Sequence, residues 1–449
     1  MNRVKINIPE APKMLMGILE NNGYRAYVVG GAVRDAILDK TPKDFDITTN
    51  ATTEQMLHVF REFNVIETGI AHGTITVMVD DEPIEITTFR VDGEYTNSRQ
   101  PDSVMFTNDI VEDLARRDFT INAMAYNDRE WLIDPYGGLF DLKKGVIRCV
   151  GDPLDRFEED GLRILRCIKF SIKLGFTIDM ETKLAMYSKM DRLTLLSSER
   201  VQSELNQILL HLSHKNITQL HETRVLEYIV PELKALFETP QNNPYHIYNV
   251  GIHTLKAVAT SNNELHIRLA LLLHDICKPE CKTTDENGVD HFYKHGIKGS
   301  DKAIEIMKGL RYSNEMIEKV STLILYHDVK LEPTKKSIKR WMNRLGVDML
   351  RDLIEMRLGD IYAQNPEYLE ERKSKIVDIW NVIDEVVKEG ECFSIKDLNI
   401  TGEDIINLGI EQGKIIGDIL KFLLDAVIED ESLNEKSKLL EIIGNNYKF

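Results

Sequence analysis

Asp44 and Asp46, in the run Lys-Asp-Phe-Asp-Ile, stand two residues apart. On an extended strand, residues i and i+2 point to the same side. Two such carboxylates repel unless a cation lies between them, and Mg2+ takes carboxylate oxygens together with substrate phosphates. A third acid, Glu85, is flanked by apolar residues on an expected central strand, where an unpaired carboxylate costs free energy. The three suit two-metal phosphoryl transfer, in which one ion activates an attacking hydroxyl and the other holds a triphosphate. Upstream, Gly30-Gly31-Ala-Val-Arg34-Asp follows the apolar run Ala26–Val29. Paired glycines let backbone N–H groups approach phosphates, and Arg34 on a first helical turn adds charge. Taken singly, the glycines need only serve a turn, and the acids need only form a solvated strand face.

Asp160, Arg163, Arg166 and Lys169 recur every three residues, so on a helix they form one slowly drifting stripe. Asp accepts and Arg donates in a plane, which lets such a pair imitate the edge of a base; in isolation it is an ordinary surface ion pair. A second constellation comprises His253, His274-Asp275, His295, His327-Asp328 and Asp360, each near an apolar helical run. Imidazoles with carboxylates suit transition metals such as Mn2+, Ni2+, Co2+ or Fe2+. A lone histidine on an apolar helix is ordinarily a satisfied core residue, but so many spaced His and Asp groups fit that explanation poorly.

The first ~150 residues alternate β-branched runs and helical patterns, the mark of an α/β unit on a small mixed sheet. Beyond Asp152, patterns with a helical period dominate to the end. Pro231, Pro240 and Pro244 mark one boundary, and Lys388–Cys392 a second. The chain has 449 residues and a net charge of −17, which excludes a uniformly basic nucleic-acid coat but not a local basic stripe. From Arg163 to Arg200 the net charge is +4, and from Glu391 to Phe449 it is −6. No apolar run approaches the ~20 residues that span a bilayer, and Met1–Glu10 has no apolar core of a secretory signal. Five scattered cysteines fit a reducing cytoplasm.

Gly-Gly-x-x-Arg-Asp followed by Asp-x-Asp resembles the polymerase-β-like nucleotidyltransferases. Leu114–Ala123, Asp134-Pro-Tyr-Gly-Gly138 and Glu159-Asp160-Gly-Leu-Arg163-Ile-Leu-Arg166 are similar to the class II tRNA nucleotidyltransferases, the CCA-adding enzymes, and to bacterial poly(A) polymerases. The resemblance implies an α+β fold, with a polymerase-β-like head followed by all-α neck, HD and tail regions at residues 1–150, 151–238, 239–388 and 389–449. It implies Mg2+ on Asp44 and Asp46 with Glu85, and a triphosphate held by Gly30, Gly31 and Arg34. Arg117, Asp118 and Asn122 would bind ribose and phosphates. Asp160 and Arg163 would select cytosine and adenine without a template, with Arg166 and Lys169 facing phosphates. Ser198-Glu199-Arg200 and Glu204 would buttress the reading helix.

The activity so implied is transfer of CMP and AMP from CTP and ATP to a tRNA 3′ end, with release of pyrophosphate. A poly(A) polymerase would favour a basic tail, and this tail is acidic. In the family a loop between the metal and ribose motifs is shortened in enzymes that add only CC. Here Val91–Val104, with Glu94 and Arg99, fills that interval, while an A-adding enzyme stays open. The runs Tyr245–Thr254, Leu272–Pro279 and Leu358–Ala363 resemble HD phosphohydrolases. That likeness implies a metal on His253, His274, Asp275 and Asp360, a second ion or phosphate at His295, His327 and Asp328, and a phosphate contact from Lys278. An HD phosphohydrolase with an RNA-binding head is the remaining rival, against which the intact Asp-x-Asp argues. Leu398–Gly413 resembles the family's tRNA-gripping tail.

Overall fold

The computed structural model describes residues 4–93 and 104–447. Glu94 and Arg99 lie outside them. The chain forms two compact units, Met1–Pro231 and Glu232–Phe449.

Among the described residues the first unit holds eleven short strands: β1 (Ala26–Val29), β2 (Ile47–Thr49), β3 (Asn64–Ile66), β4 (Thr74–Val79), β5 (Glu82–Thr88), β6 (Arg90–Asp92), β7 (Val104–Phe106), β8 (Ala125–Asn127), β9 (Trp131–Ile133), and β10 (Val146–Ile147) and β11 (Thr177–Ile178), which pair with each other in parallel. Seven of them make one mixed sheet in the order β3-β4-β5-β2-β1-β8-β9, while β6 and β7 form a separate hairpin. Ala-Tyr-Val-Val of β1 is buried throughout, as expected of a strand with neighbours on both edges and cover on both faces. The Glu10–Asn21 helix buries Leu15, Met16 and Leu19.

The sheet places the acids differently from the sequence expectation. Asp44 to Asp46 form the irregular approach to β2 rather than part of a strand, although the Val29 N–H still donates to the Asp46 carbonyl at 3.1 Å. β2 pairs in parallel with β5, Ile47 opposite Ile86. Those two isoleucines point into the core, so by the period of two Glu85 lies on the open face. Glu85 is exposed, and the burial cost expected for it does not arise.

The Leu162–Leu174 helix buries Ile164, Leu165, Cys167 and Ile168 and ends at Gly175, whose φ of 71° suits a left-handed C-cap. Its N-terminal turn is held by Asp160, whose Oδ1 accepts from the Leu162 N–H at 3.0 Å.

The second unit is helical apart from a hairpin, Lys282–Thr284 with Asp290–Phe292, that the all-α expectation missed. Asn287-Gly288 turns it, with Gly288 at φ 77°. No helix of the described residues is long and apolar enough to cross a membrane. The acidic tail packs a core of its own from Ile405, Ile419, Leu423, Val427, Leu439 and Ile443. Its carboxylates have partners close by. Lys335, Lys336, Lys339 and Arg340, on the Lys335–Leu345 helix, pair with Glu385, Glu389, Glu391, Glu429 and Glu431. Lys339 is only 2% exposed, between Glu391 and Glu431.

Replacing Lys339 with Met leaves two carboxylates facing each other and should destabilise the protein by about 2 kcal/mol. The same change at the half-exposed Lys336 should cost less than about 0.5 kcal/mol. Thermal unfolding of the two variants checks the contrast. Burial raises the Glu391 pKa, but hydrogen bonds from Lys335 and Lys339 outweigh it and hold the carboxyl at about 2 against an ordinary 4.5. A depressed carboxylate stabilises the fold fully above its unfolded pKa and loses that contribution as pH falls through the folded one. Acid unfolding should therefore draw on this group between pH 4.5 and about 2, and Glu391→Gln should remove that part of the pH dependence.

Candidate active site

The chain leaves β1 through Gly30, at φ 68°. This is a left-handed conformation, and a Cβ there would meet the Arg117 Nη1 at 2.9 Å. The backbone conformation therefore requires glycine, and any side chain there would also displace the end of Arg117. The Gly31–Ile37 helix then places Arg34, which is 4% exposed, with its Nη1 donating to Asn122 Oδ1 at 2.7 Å and its Nε to Asp35 Oδ1 at 2.8 Å. Asn122 Nδ2 in turn donates to Asp118 Oδ1 at 3.0 Å, which also accepts from the Phe119 N–H at 2.8 Å. The other Asp118 oxygen takes Arg166 Nε at 2.8 Å and Nη2 at 2.6 Å. Burial alone would raise the Asp118 pKa, but Arg166 and the three hydrogen-bond donors overcome it and hold the carboxyl below its usual range.

This frame surrounds a cavity of about 450 Å3. Gly30, Gly31, Arg34, Arg117, Asp118 and Asn122 line it from the head. Asp160, Arg163 and Arg166 line it from the following helical segment, and Asp46 reaches it too. Asp44 and Glu85 are not in the lining, but both act on Asp46. Desolvation by the surrounding protein, then Glu85 and Asp44, raise the Asp46 pKa, with Arg117 opposing. The part of that shift due to Glu85 and Asp44 is a repulsion between neighbouring carboxylates, which a cation would relieve. The donors are hard oxygens, the set Mg2+ takes, so the residues fit that ion.

Asp160 and Arg163 are both held by the protein. Asp160 Oδ2 accepts from Arg200 Nη2 at 2.6 Å. Arg163 donates to the carbonyls of Arg156 at 3.0 Å and Arg116 at 3.1 Å, and to Glu159. Lys169, expected to face phosphates, does not line the cavity: its Nζ pairs with Glu204 at 2.8 Å. The spacing explains why. Six residues past Arg163, at 3.6 per turn, the helix has swung about 120° away. Three lining residues, Leu162, Phe170 and Arg200, were not read from sequence as part of the cavity. A phenylalanine on an apolar helix face carries no signal of its own, and Arg200 was read as a buttress.

In the second unit the His and Asp groups converge as two sets that share Asp275. On one side, His253 Nε2 lies 2.7 Å from Asp360 Oδ1, and His274 Nε2 lies 3.1 Å from Asp275 Oδ2 and 3.5 Å from Asp360 Oδ1. On the other, His295 Nε2 lies 3.5 Å and His327 Nε2 4.0 Å from Asp275 Oδ1. Every imidazole turns its Nδ1 to a backbone carbonyl: His253 to Ala363, His274 to Leu271, His295 to Phe292 and His327 to Ile324. A carbonyl can only accept, so each Nδ1 carries the proton and each Nε2 is left to ligate, the orientation seen in metal sites. His295 Nε2 and His327 Nε2 face each other at 2.9 Å. Two lone pairs cannot remain so close without a proton or a cation to share. Burial together with His274 and His295 pushes the His327 pKa down to about 3, so the proton is disfavoured there. Against burial, Asp275 and Asp360 pull the His274 pKa up to about 10, the pull a cation would answer. Asp328 is exposed and belongs to neither set.

His274, Asp275, Asp360, His295 and His327 line a cleft of about 1040 Å3, with His253 buried behind them. Lys278 reaches into it, 2.8 Å from Asp275 Oδ2 and 2.8 Å from Gln241. The sequence reading did not single out His246, Arg357 or Arg372, which also line the cleft. His246 Nδ1 is buried with no hydrogen-bond partner. Arg372 lies over the Tyr245 ring at 5.2 Å and donates to Gln364, which donates to Asp360 at 2.9 Å.

Comparison with known proteins bears on the whole length. Residues 26–148 match the poly(A) polymerase head domain, 175–237 the RNA- and SrmB-binding site of polymerase A, and 294–443 the tRNA nucleotidyltransferase domain 2. The CCA-adding enzyme of Anoxybacillus flavithermus is 30% identical over 437 residues, covering 96% of this chain and 95% of the relative. That of Levilactobacillus brevis is 31% identical, covering 97% and 98%. Among solved structures, the CCA-adding enzyme of Bacillus stearothermophilus in complex with CTP superposes with a TM-score of 0.68 at 25% identity, over 98% of this chain and 99% of that one. The enzyme of Thermotoga maritima complexed with tRNA-CCA shares the fold at a TM-score of 0.55 and 21% identity, over 99% and 97% of the two chains. With an α+β head, a helical remainder and relatives of this identity over nearly its full length, the chain belongs to the CCA-adding enzymes.

Proposed function

We propose that the head cavity transfers CMP and AMP from CTP and ATP to the 3′ hydroxyl of tRNA. The observation that carries this reading is the convergence, on one cavity, of the glycine turn, Arg34, Arg117, Asp118 and Asn122 with Asp160, Arg163 and Arg166. The 3′ oxygen attacks the α-phosphorus, the bond from that phosphorus to the bridging oxygen of the β-phosphate breaks, and pyrophosphate leaves. Gly30, Gly31, Arg34 and Arg166 hold the triphosphate, and Arg117, Asp118 and Asn122 hold the ribose and α-phosphate. Asp160 and Arg163 exchange present protein contacts for the edge of the base. Asp44 and Asp46, with Glu85 beside them, would hold Mg2+, which would supply activation of the hydroxyl and charge neutralisation at the leaving group. We assign residues 1–150 to the head, 151–238 to the neck, 239–388 to the HD-type domain and 389–449 to a tail that contacts tRNA. The five buried thiols fit a reducing cytoplasm.

A second reading concerns the cleft. Four imidazoles with their Nδ1 atoms committed to carbonyls, around a shared carboxylate, favour a metal-dependent phosphohydrolase. His253, His274, Asp275 and Asp360 would hold one transition-metal ion. Asp275, His295 and His327 would hold a second ion or a phosphate, with Lys278 on a phosphate oxygen.

Asp46→Asn should lower the rate of both CMP and AMP incorporation by about a thousandfold, because the lost charge serves either base. Single-turnover assays on tRNAs ending at the discriminator base, at C and at CC measure this, and on the parent they separate full CCA addition from CC-only or A-only addition. Near-parental turnover in the variant would remove Asp46 from the metal site. Arg163→Ala should cost about tenfold or more in preference for CTP and ATP over UTP and GTP while leaving triphosphate affinity nearly intact. A uniform loss across all four nucleotides would make Arg163 a phosphate contact. His274→Ala with Asp275→Ala should abolish both Mn2+ or Ni2+ binding, read by calorimetry, and hydrolysis of a 2′,3′-cyclic nucleotide, while incorporation survives. A parent that binds neither ion would reduce the cluster to scaffold.

A further inference from the structure

Phe170 stands where the cations of the head cavity meet. It is 7% exposed and lines the cavity. Its ring meets the buried Phe119 edge to face, with centroids 5.9 Å apart and planes at 81°. Around the same ring stand the Arg34 guanidinium at 5.0 Å, the Arg166 guanidinium at 5.4 Å and the Lys169 ammonium at 4.7 Å from its centroid. Arg34 comes from the Gly31–Ile37 helix after β1, and the other two from Phe170's own helix.

Three like charges in one place need something to hold them. Carboxylates and amides supply part of it: Asp118 for Arg166, Asn122 and Asp35 for Arg34, and Glu204 for Lys169. Each of those oxygens also neutralises charge or occupies in-plane N–H groups that a phosphate would use. An aromatic face attracts a cation through its quadrupole, at right angles to the guanidinium's hydrogen-bonding edge. It holds the cation in place and consumes neither its charge nor its donors.

We propose that Phe170 is a positioning residue for nucleotide addition. Its ring would fix Arg34 and Arg166 toward the triphosphate and keep them charged and open to phosphate oxygens. Lys169, turned to Glu204, would complete the electrostatic seat behind the ring. The proposal rests on the reading of Arg34 and Arg166 as triphosphate contacts.

The test separates ring electronics from ring shape. Phe170→Leu keeps an apolar side chain and removes the quadrupole. Phenylalanines carrying one, two and three ring fluorines at position 170 keep the shape and weaken the quadrupole stepwise. Binding of CTP, ATP and inorganic tripolyphosphate is measured by calorimetry on the full chain, with thermal unfolding as the fold control. Phe170→Leu should weaken all three ligands by about tenfold and leave the preference among the four nucleotides unchanged. The fluorinated series should weaken them in proportion to fluorine number, and Phe170→Tyr should restore near-parental affinity. A flat fluorine series would overturn the proposal and leave Phe170 a packing residue. Loss of base preference in place of triphosphate affinity would overturn it too. Arg34→Ala and Arg166→Ala, run alongside, distinguish the two failures. If they weaken tripolyphosphate and the fluorine series stays flat, Phe170 alone is misassigned; if they leave it unchanged, the triphosphate seat itself is misassigned and the proposal falls with it.

Discussion

Asp118 is the constraint on which the head cavity turns. The cavity gathers Arg34, Arg117, Arg163 and Arg166 into a small volume, and like charges so confined repel. A buried carboxylate is costly alone and stabilising only when its oxygens are fully engaged. Asp118 meets that condition by taking Asn122 and the Phe119 N–H on one oxygen and Arg166 on the other. Through Asn122 the same carboxylate fixes Arg34, and through Arg166 it fixes the Leu162–Leu174 helix, which also carries Arg163. Strand, glycine turn and that helix are thereby referred to a single side chain, and a shift in any one is felt by the others.

Asp275 solves a related problem in the second unit by sharing. Each of its oxygens faces a different pair of imidazoles, and Lys278 sits against Oδ2. The imidazoles are clamped from behind by backbone carbonyls, so the direction of their Nε2 edges is set by backbone geometry.

Much of this was legible in the chain. The apolar run before Gly30 is the buried β1, the glycine pair is the turn, and Asp160, Arg163 and Arg166 reach one cavity. These features are local, set by short-range periodicity and backbone rules. The misses needed information that spacing does not hold. Lys169 continued the stripe in sequence but left it in space, because a step of three falls short of a turn. Glu85 looked buried from its apolar neighbours, yet the register of β2 on β5 turned it outward. Phe170 was not singled out, since nothing local tells which cations will gather around a ring. The helix partners of Glu391, Glu429 and Glu431 lie 52 to 93 positions away in sequence, beyond any local pattern.

The clasp between the Lys335–Leu345 helix and the tail alters how the acidic end of the chain looks from a distance. Composition gives that end a net charge of −6, a repulsive wall to a polyanion. The structure sets several of those carboxylates within contact distance of Lys335, Lys336, Lys339 and Arg340, forming compact multipoles whose field decays far faster than that of bare charges. At a Debye length of ~8 Å little of it survives into solution. A nucleic acid drifting past would meet a flank less repulsive than its composition implies, and its approach would depend on which lysines and helix ends stay uncommitted.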